Sequence, residues 1–193
     1  GRILHFLSAR CCGDVVEIQG AFVEYKHFIA SRRRPDWGLA IRPVGVSGVL
    51  LLQDNWVALA RRTPHVTQYP GWLELVPSGG VDDSCLGQDG VVDHHALLLT
   101  ELGEETGVAP AAAELQDLAL IEDDDEGVVD VCSLIRSPTT QQGARNAFPE
   151  GGEYQELVFV EADRLSEWLA SQNEQVVPTS AVLAQVFAER IQG

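Results

Sequence analysis

The stretch "TELGEETGV" at residues 100–108 places Glu101, Glu104 and Glu105 at positions i, i+3 and i+4, which form a single face if the segment is helical. Like charges at that spacing repel by roughly a few tenths of a kcal/mol per pair, and the C-terminal end of a helix dipole worsens their position. A hard divalent cation would offset the repulsion: Mg²⁺ takes carboxylate oxygens while retaining waters and substrate phosphates. The plainer alternative is a solvated acidic face, which charge patterns of this kind commonly form.

The element that carries these glutamates has clear ends. Asp93 is a suitable N-cap, "HALLLTELGEET" repeats its apolar residues at helical intervals, and Gly107 suits a left-handed C-cap, giving about four turns. Upstream, residues 14–30 read as paired strands and "SRRRPDWG" at 31–38 as a turn or loop. A hairpin follows, with one strand ending at Leu52, the turn candidate Asp54-Asn55, and "WVALARR" to Arg62. Residues 63–90 are mainly loop around the apolar "WLELV" at 72–76. Strand-like "LALI" and "VVDVCSLI" flank the acidic run 122–126, which reads as an exposed turn because it lacks the alternating ligands of a calcium loop. The segment "RSPTTQQGARNAFPEGGE" reads as loop, "LVFV" at 157–160 as a strand, and 163–171 and 179–191 as helices. Hairpin-like strand pairs interspersed with helices predict an α/β (α+β) fold with a mixed sheet covered by helices. Residues 1–40, N-terminal strands and a loop, are expected to belong to the same unit as 41–193.

Bulk properties narrow the function. With 193 residues, 45% of them hydrophobic and 22% charged, the chain has the balance of one globular domain. Thirteen Lys and Arg against 29 Asp and Glu give a formal charge of -16, a field that repels phosphate backbones and argues against a nucleic-acid polymer as partner. No apolar run reaches the length of a membrane span, and "GRILHFLSARCC" lacks the layout of a signal peptide, so a cytoplasmic location is expected. Cys11, Cys12, Cys85 and Cys132 show no CxxC spacing and read as reduced thiols. His94 and His95, near the helix start, have no matched ligand spacing and are assigned to the surface.

Taken with "WLELVPSGG", the glutamate turn resembles the Nudix box. That signature runs glycine, five residues, glutamate, seven residues, then Arg-Glu-aliphatic-x-Glu-Glu-x-Gly-aliphatic. Glu101, Leu102, Glu104, Glu105, Gly107 and Val108 stand in register, and the match covers about 37 residues, 72–108. "WLELVPSGGVD" is similar to the corresponding stretch of the ADP-ribose and nucleotide-sugar pyrophosphatases. Two departures stand out. Thr100 replaces the box arginine and Val92 its upstream glutamate, which removes a pair and strands neither charge. Eleven residues separate Gly80 from Val92 where the family has five, so "DSCLGQDG" is expected to bulge at the surface.

The resemblance implies a Nudix-like α/β/α sandwich in which Glu101 and Glu105 hold Mg²⁺ (or Mn²⁺). It further implies Glu104 as a ligand or a partner to bound water, and the Ser78 carbonyl as completing the coordination. Gly79 and Gly80 let the chain turn sharply and approach the metal. "EGGEYQELVFV" resembles the segment that supplies a catalytic glutamate, matched by Glu153, with Glu150 or Glu156 as substitutes. From the residues themselves, Arg61 and Arg62 are candidates to hold substrate phosphate, Trp37 to stack on a base, and the Arg32–Arg34 run is assigned to a solvated loop. The expected function is Mg²⁺-dependent cleavage of a nucleoside diphosphate linked to another moiety, with ADP-ribose or a nucleotide sugar favoured. The alternatives are hydrolysis of nucleoside triphosphates or dinucleoside polyphosphates, and a catalytically silent nucleotide sensor. N-terminal strands pairing with a second copy would make a dimer.

Overall fold

The computed structural model describes residues 1–172 and 175–192. Its centre is β3 (Val44–Leu52), nine consecutive buried residues. Such a run is apolar on both faces and must be covered on both. Val44, Val46, Leu50 and Leu52 enter one core, while Val49 and Leu51 enter the other, as the alternation of a strand dictates.

The remaining strands assemble around β3. β4 (Trp56–Arg62) pairs antiparallel with it through a turn in which Asn55 takes a positive φ. β5 (Leu73–Leu75) pairs antiparallel with β4, and β6 (Ser78–Gly80) pairs antiparallel with β3. β7 (Glu114–Asp123) and β8 (Val128–Ser137) form a hairpin, and β8 lies parallel to β3. β9 (Tyr154–Glu161) pairs antiparallel with β4, giving the mixed sheet expected from the hairpin-like strand pairs.

One face is covered by α2 (His94–Thr106) through Leu98 and Leu102, joined by Ala144 of the short α3 (Gln141–Ala147). The other is covered by α4 (Leu165–Ala170) and α5 (Pro178–Gln192), which contribute Leu165, Leu169, Leu183 and Phe187. The layers are therefore helix, sheet, helix. No helix among the described residues is long and apolar enough to cross a membrane.

The N-terminal segment departs from expectation. β1 (Arg2–Cys12) and β2 (Val15–Glu24) form a separate two-stranded ribbon, and the helix α1 (Tyr25–Arg33) takes up residues 25–30, expected as strand, and 31–33, expected as turn or loop. Tyr25, Phe28 and Ile29 fall at i, i+3 and i+4, so the helical period governs there. The ribbon joins the rest through Leu4 and Phe6, which are core residues, and through bonds from the Leu4 N–H to Val81 O and the Phe6 N–H to Arg42 O.

Two loop assignments also change. α3 occupies part of the segment read as irregular, started by Thr140, whose hydroxyl accepts from the Gly143 N–H. The acidic run 122–126 is not simply an exposed turn: Asp123 is buried, accepting from the Tyr69 hydroxyl at 2.6 Å and from the backbone N–H groups of Asp125 and Glu126. A carboxylate given that many donors tolerates burial. Glu126 of the same turn pairs with Arg32, so the basic run is anchored at its first member.

α2 keeps its expected ends. The Asp93 side chain accepts from the Ala96 N–H at 2.9 Å, and Gly107 caps the helix at φ 70. A Cβ on Gly107 would lie 2.0 Å from the Ala147 carbonyl oxygen, so neither its dihedral nor its surroundings admit a side chain. Gly107→Ala should destabilise the fold by about 1–3 kcal/mol, read as a lower urea midpoint with an unchanged m-value; a midpoint equal to that of the parent chain would refute this account of the helix end.

Candidate active site

The end of α2 rests on the loop that runs into β6. Glu105 Oε2 accepts the Ser78 backbone N–H at 2.9 Å, and Glu101 lies over Gly79 so closely that a Cβ there would sit 2.5 Å from Glu101 Oε1. A side chain at 79 would displace the Glu101 carboxyl from this position. The expected insertion between Gly80 and the helix closes on itself: the Gly87 N–H bonds Val91 O, the Asp93 N–H bonds Cys85 O, and Val92 packs against the core. Thr100, where the box has arginine, satisfies its own hydroxyl on Ala96 O. The missing ion pair is replaced by an apolar contact on one side and a local hydrogen bond on the other.

The acid turn faces two cavities. The larger, about 620 Å³, is bordered by Ser78, Gly79, Gly80, Glu101, Glu105, Glu153 and Arg62. The smaller, about 230 Å³, is bordered by Glu101, Glu104, Glu105 and Glu153 together with Phe148 and Tyr154. The remaining predicted positions do not border either cavity: Arg61 bonds Glu156 and the Gly71 carbonyl, and Trp37 is 58% exposed beside Arg34. Arg62 borders the larger cavity but is already engaged, donating to Glu74 through Nη1 and to Gln68 O through Nε. Tyr154 donates to the same Glu74 at 2.8 Å and contacts the Ser78 hydroxyl at 3.1 Å, tying β9 to the loop that carries the acid turn.

Residues not singled out from the sequence complete the larger cavity. Tyr25 and Phe28 of α1 and Tyr69 supply aromatic surface, while Glu74, Asp123, Glu126 and Asp130 add carboxylates. Glu74 between Leu73 and Leu75, and Asp130 within "VVDVCSLI", are polar interruptions of apolar strands, a signal that was available in the sequence.

Electrostatics single out the acid turn. Burial, then the charges of Glu104, Glu153 and Asp82, pushes the Glu101 carboxyl up to about 7. Burial also pushes Glu105 up to about 9, with Glu74, Glu101 and Glu153 adding to the rise and the Ser78 N–H opposing it. Among the described residues, no three of these glutamates bring oxygens within 4.8 Å of one another. A Mg²⁺ ion, which keeps several waters and uses one or two carboxylates with substrate phosphates, needs no tighter cage. Carboxylates gathered on one turn, with Glu101 over Gly79, are of the all-oxygen type that a hard divalent cation takes.

Without a divalent cation, the protein should lose stability as pH rises. Glu105 ionises near 4.5 when unfolded and near 9 when folded, so its contribution is complete below about 4.5 and is lost as pH approaches about 9; Glu101 follows the same course up to about 7. In EDTA, the urea midpoint should fall between pH 5 and 9, and Glu105→Gln should flatten that fall. Asp130, raised to about 7 by burial, leaves a residual slope in the variant. Millimolar Mg²⁺ should recover more stability at pH 8.5 than at pH 5.5. Equal gains at both pH values would contradict the assignment.

No family model and no curated protein matches the chain. Solved structures do. A Nudix hydrolase from Alicyclobacillus acidocaldarius superposes with a TM-score of 0.57 at 12% identity, over 77% of this chain and 91% of that one. The Nudix domain of Shewanella oneidensis NrtR, crystallised with ADP-ribose, gives 0.55 at 19% identity over 78% and 88%. An ADP-ribose pyrophosphatase from Streptococcus suis gives 0.52 at 15% identity over 78% and 92%. The helix, mixed sheet, helix architecture and the strand-loop-helix that carries the acid turn are those of the Nudix fold, and the chain has that fold.

Proposed function

We propose that the protein is a Mg²⁺-dependent pyrophosphohydrolase that cleaves the diphosphate of a nucleoside diphosphate linked to another moiety, with ADP-ribose or a nucleotide sugar as the favoured class. The observation that carries this reading is the docked acid turn, with Glu105 bound to the Ser78 N–H and Glu101 packed on Gly79 at the mouth of a 620 Å³ cavity. That volume is in the range of small-molecule sites. The solved Nudix domain that holds ADP-ribose and the ADP-ribose pyrophosphatase with the same fold support the choice of substrate class.

When bound, the divalent ion supplies neutralisation of the diphosphate and a coordinated water of lowered pKa. The chain's residues do the rest. Ser78 holds one oxygen of Glu105 and so orients the other, Gly79 and Gly80 let backbone approach the diphosphate, and exposed Glu104 would hold water beside a bound ion. Glu153 lies on a loop pinned by the Thr63 N–H to the Glu153 carbonyl at 2.8 Å. It takes the proton as water oxygen bonds to phosphorus and the bridging P–O bond breaks, and the leaving phosphate finally carries that proton. Arg62 retains N–H donors beyond those given to Glu74 and Gln68, and these face the substrate's phosphates. Tyr25, Phe28 and Tyr69 offer faces for a base.

The test is phosphate release after coupled phosphatase treatment, across ADP-ribose, nucleotide sugars, dinucleoside polyphosphates and triphosphates, with Mg²⁺ or Mn²⁺ and an EDTA control. Turnover should require metal and favour the first two classes. Glu153→Gln should lower kcat by about 10²–10⁴-fold, and Glu105→Gln should raise the Mg²⁺ concentration needed for half-maximal rate. Silence across the panel together with saturable nucleotide binding would replace the enzyme with a sensor.

A further inference from the structure

At the opposite end of α2 from the acid turn, the part-exposed His94 and His95 converge with Asp117 of β7. His95 Nε2 lies 2.8 Å from Asp117 Oδ1, and His94 Nε2 lies 3.2 Å from Oδ1 and 3.3 Å from Oδ2. The two rings are 4.3 Å apart. Among the described residues, this is the group of three metal-capable side chains whose ligand atoms all lie within 4.8 Å of one another.

We propose that His94, His95 and Asp117 form a second metal site, for a borderline transition-metal ion of the Zn²⁺ type, that clamps the start of α2 to the β7–β8 hairpin. Zn²⁺ bonds of about 2.0–2.2 Å to His nitrogen and carboxylate oxygen give tetrahedral ligand-to-ligand edges of about 3.3 Å. The present separations of 2.8 and 3.2 Å are close to such edges, so an ion can replace the shared protons with small side-chain adjustments. Two imidazole nitrogens and one carboxylate favour Zn²⁺, Co²⁺, Ni²⁺ or Cu²⁺ over Mg²⁺, which distinguishes this site from the all-oxygen acid turn. Three protein ligands leave the fourth position to water.

The surroundings are built to aim the carboxylate. β7 and β8 shift register between Asp117 and Ala119, and a bulge of this kind redirects side chains. The Ser133 hydroxyl, fully buried on the neighbouring strand, donates to Asp117 Oδ1 at 2.8 Å, the type of outer hydrogen bond that orients a metal-binding carboxylate. The helix N-terminus works against a cation, but the carboxylate of Asp117 and the overall charge of -16 oppose that local positive end. His95 and Glu101 are about 9 Å apart along the helix axis at 1.5 Å per residue, so the two sites are separate and the clamp does not depend on the activity proposed above.

The experiment is metal retention by the full chain after desalting from micromolar Zn²⁺ in millimolar Mg²⁺, which occupies the acid turn. Cys11→Ser/Cys12→Ser serves as background, because exposed thiols also take Zn²⁺. One equivalent of Zn²⁺ should remain bound and raise Tm. His94→Ala/His95→Ala and Asp117→Asn should abolish both effects while circular dichroism stays unchanged, and Ser133→Ala should weaken binding by about 10–100-fold. Co²⁺ loaded in place of Zn²⁺ should give the visible spectrum of a nitrogen- and oxygen-ligated tetrahedral ion. No retained Zn²⁺ in the parent chain, or equal retention in the histidine and aspartate variants, overturns the proposal. Because none of these readouts involves turnover, an inactive enzyme that binds Zn²⁺ here would refute the proposed hydrolysis and leave the clamp standing.

Discussion

The contact on which the rest of the site depends is the one between the last turn of α2 and the loop entering β6. A helix end rich in carboxylates is unfavourable to bury, because desolvation, mutual repulsion and the helix dipole act in the same direction. This chain nevertheless holds Glu105 against the Ser78 N–H and Glu101 against Gly79. The cores on either side of the sheet supply the stability that permits it. Leu98 and Leu102, on the buried face of the same helix, fix its height above β3, and the Gly107 cap stops it before the chain collides with α3. Packing on one face of α2 therefore determines the electrostatics on another.

A second set of polar contacts completes the floor. Glu74, nearly buried between two leucines, is satisfied by Arg62 and by Tyr154, and Tyr154 reaches Ser78. β4, β5, β9 and the acid-turn loop are thus tied through one carboxylate, and its removal would leave a guanidinium buried without its partner. That cost gives Glu74 a structural weight that its position in a three-residue strand conceals.

Much of this was legible in the sequence where local chemistry decides the outcome. Asp93 and Gly107 mark α2 because capping is a short-range effect, and the hairpin through Asp54 and Asn55 follows from strand runs around a turn. The acid turn was legible because i, i+3 and i+4 share a face by geometry alone. Other features depend on partners distant in sequence. Arg62 reads as a free phosphate contact until Glu74 is brought beside it, and His94 and His95 read as surface residues until a bulge in β7 turns Asp117 toward them. Helix α1 reads as a continuation of strand because β2 runs to Glu24 and Tyr25 begins the helix with no intervening turn, and α3 reads as loop because seven residues containing a glycine carry little periodic signal.

The parallel pairing of β3 with β8 has a consequence for how the molecule comes into being. Val44 faces Val129, partners 85 positions apart, and the whole box helix lies in the loop between them. Closing a loop of that length precedes any reward from the central contacts, so chains of this topology fold slowly compared with those built from neighbouring pairs. During synthesis, the edge of β3 that takes β8 must wait unpaired until β8 has emerged. In that interval an apolar strand is open to pairing with other chains, and the surplus negative charge along the polypeptide is the feature most able to keep nascent copies apart.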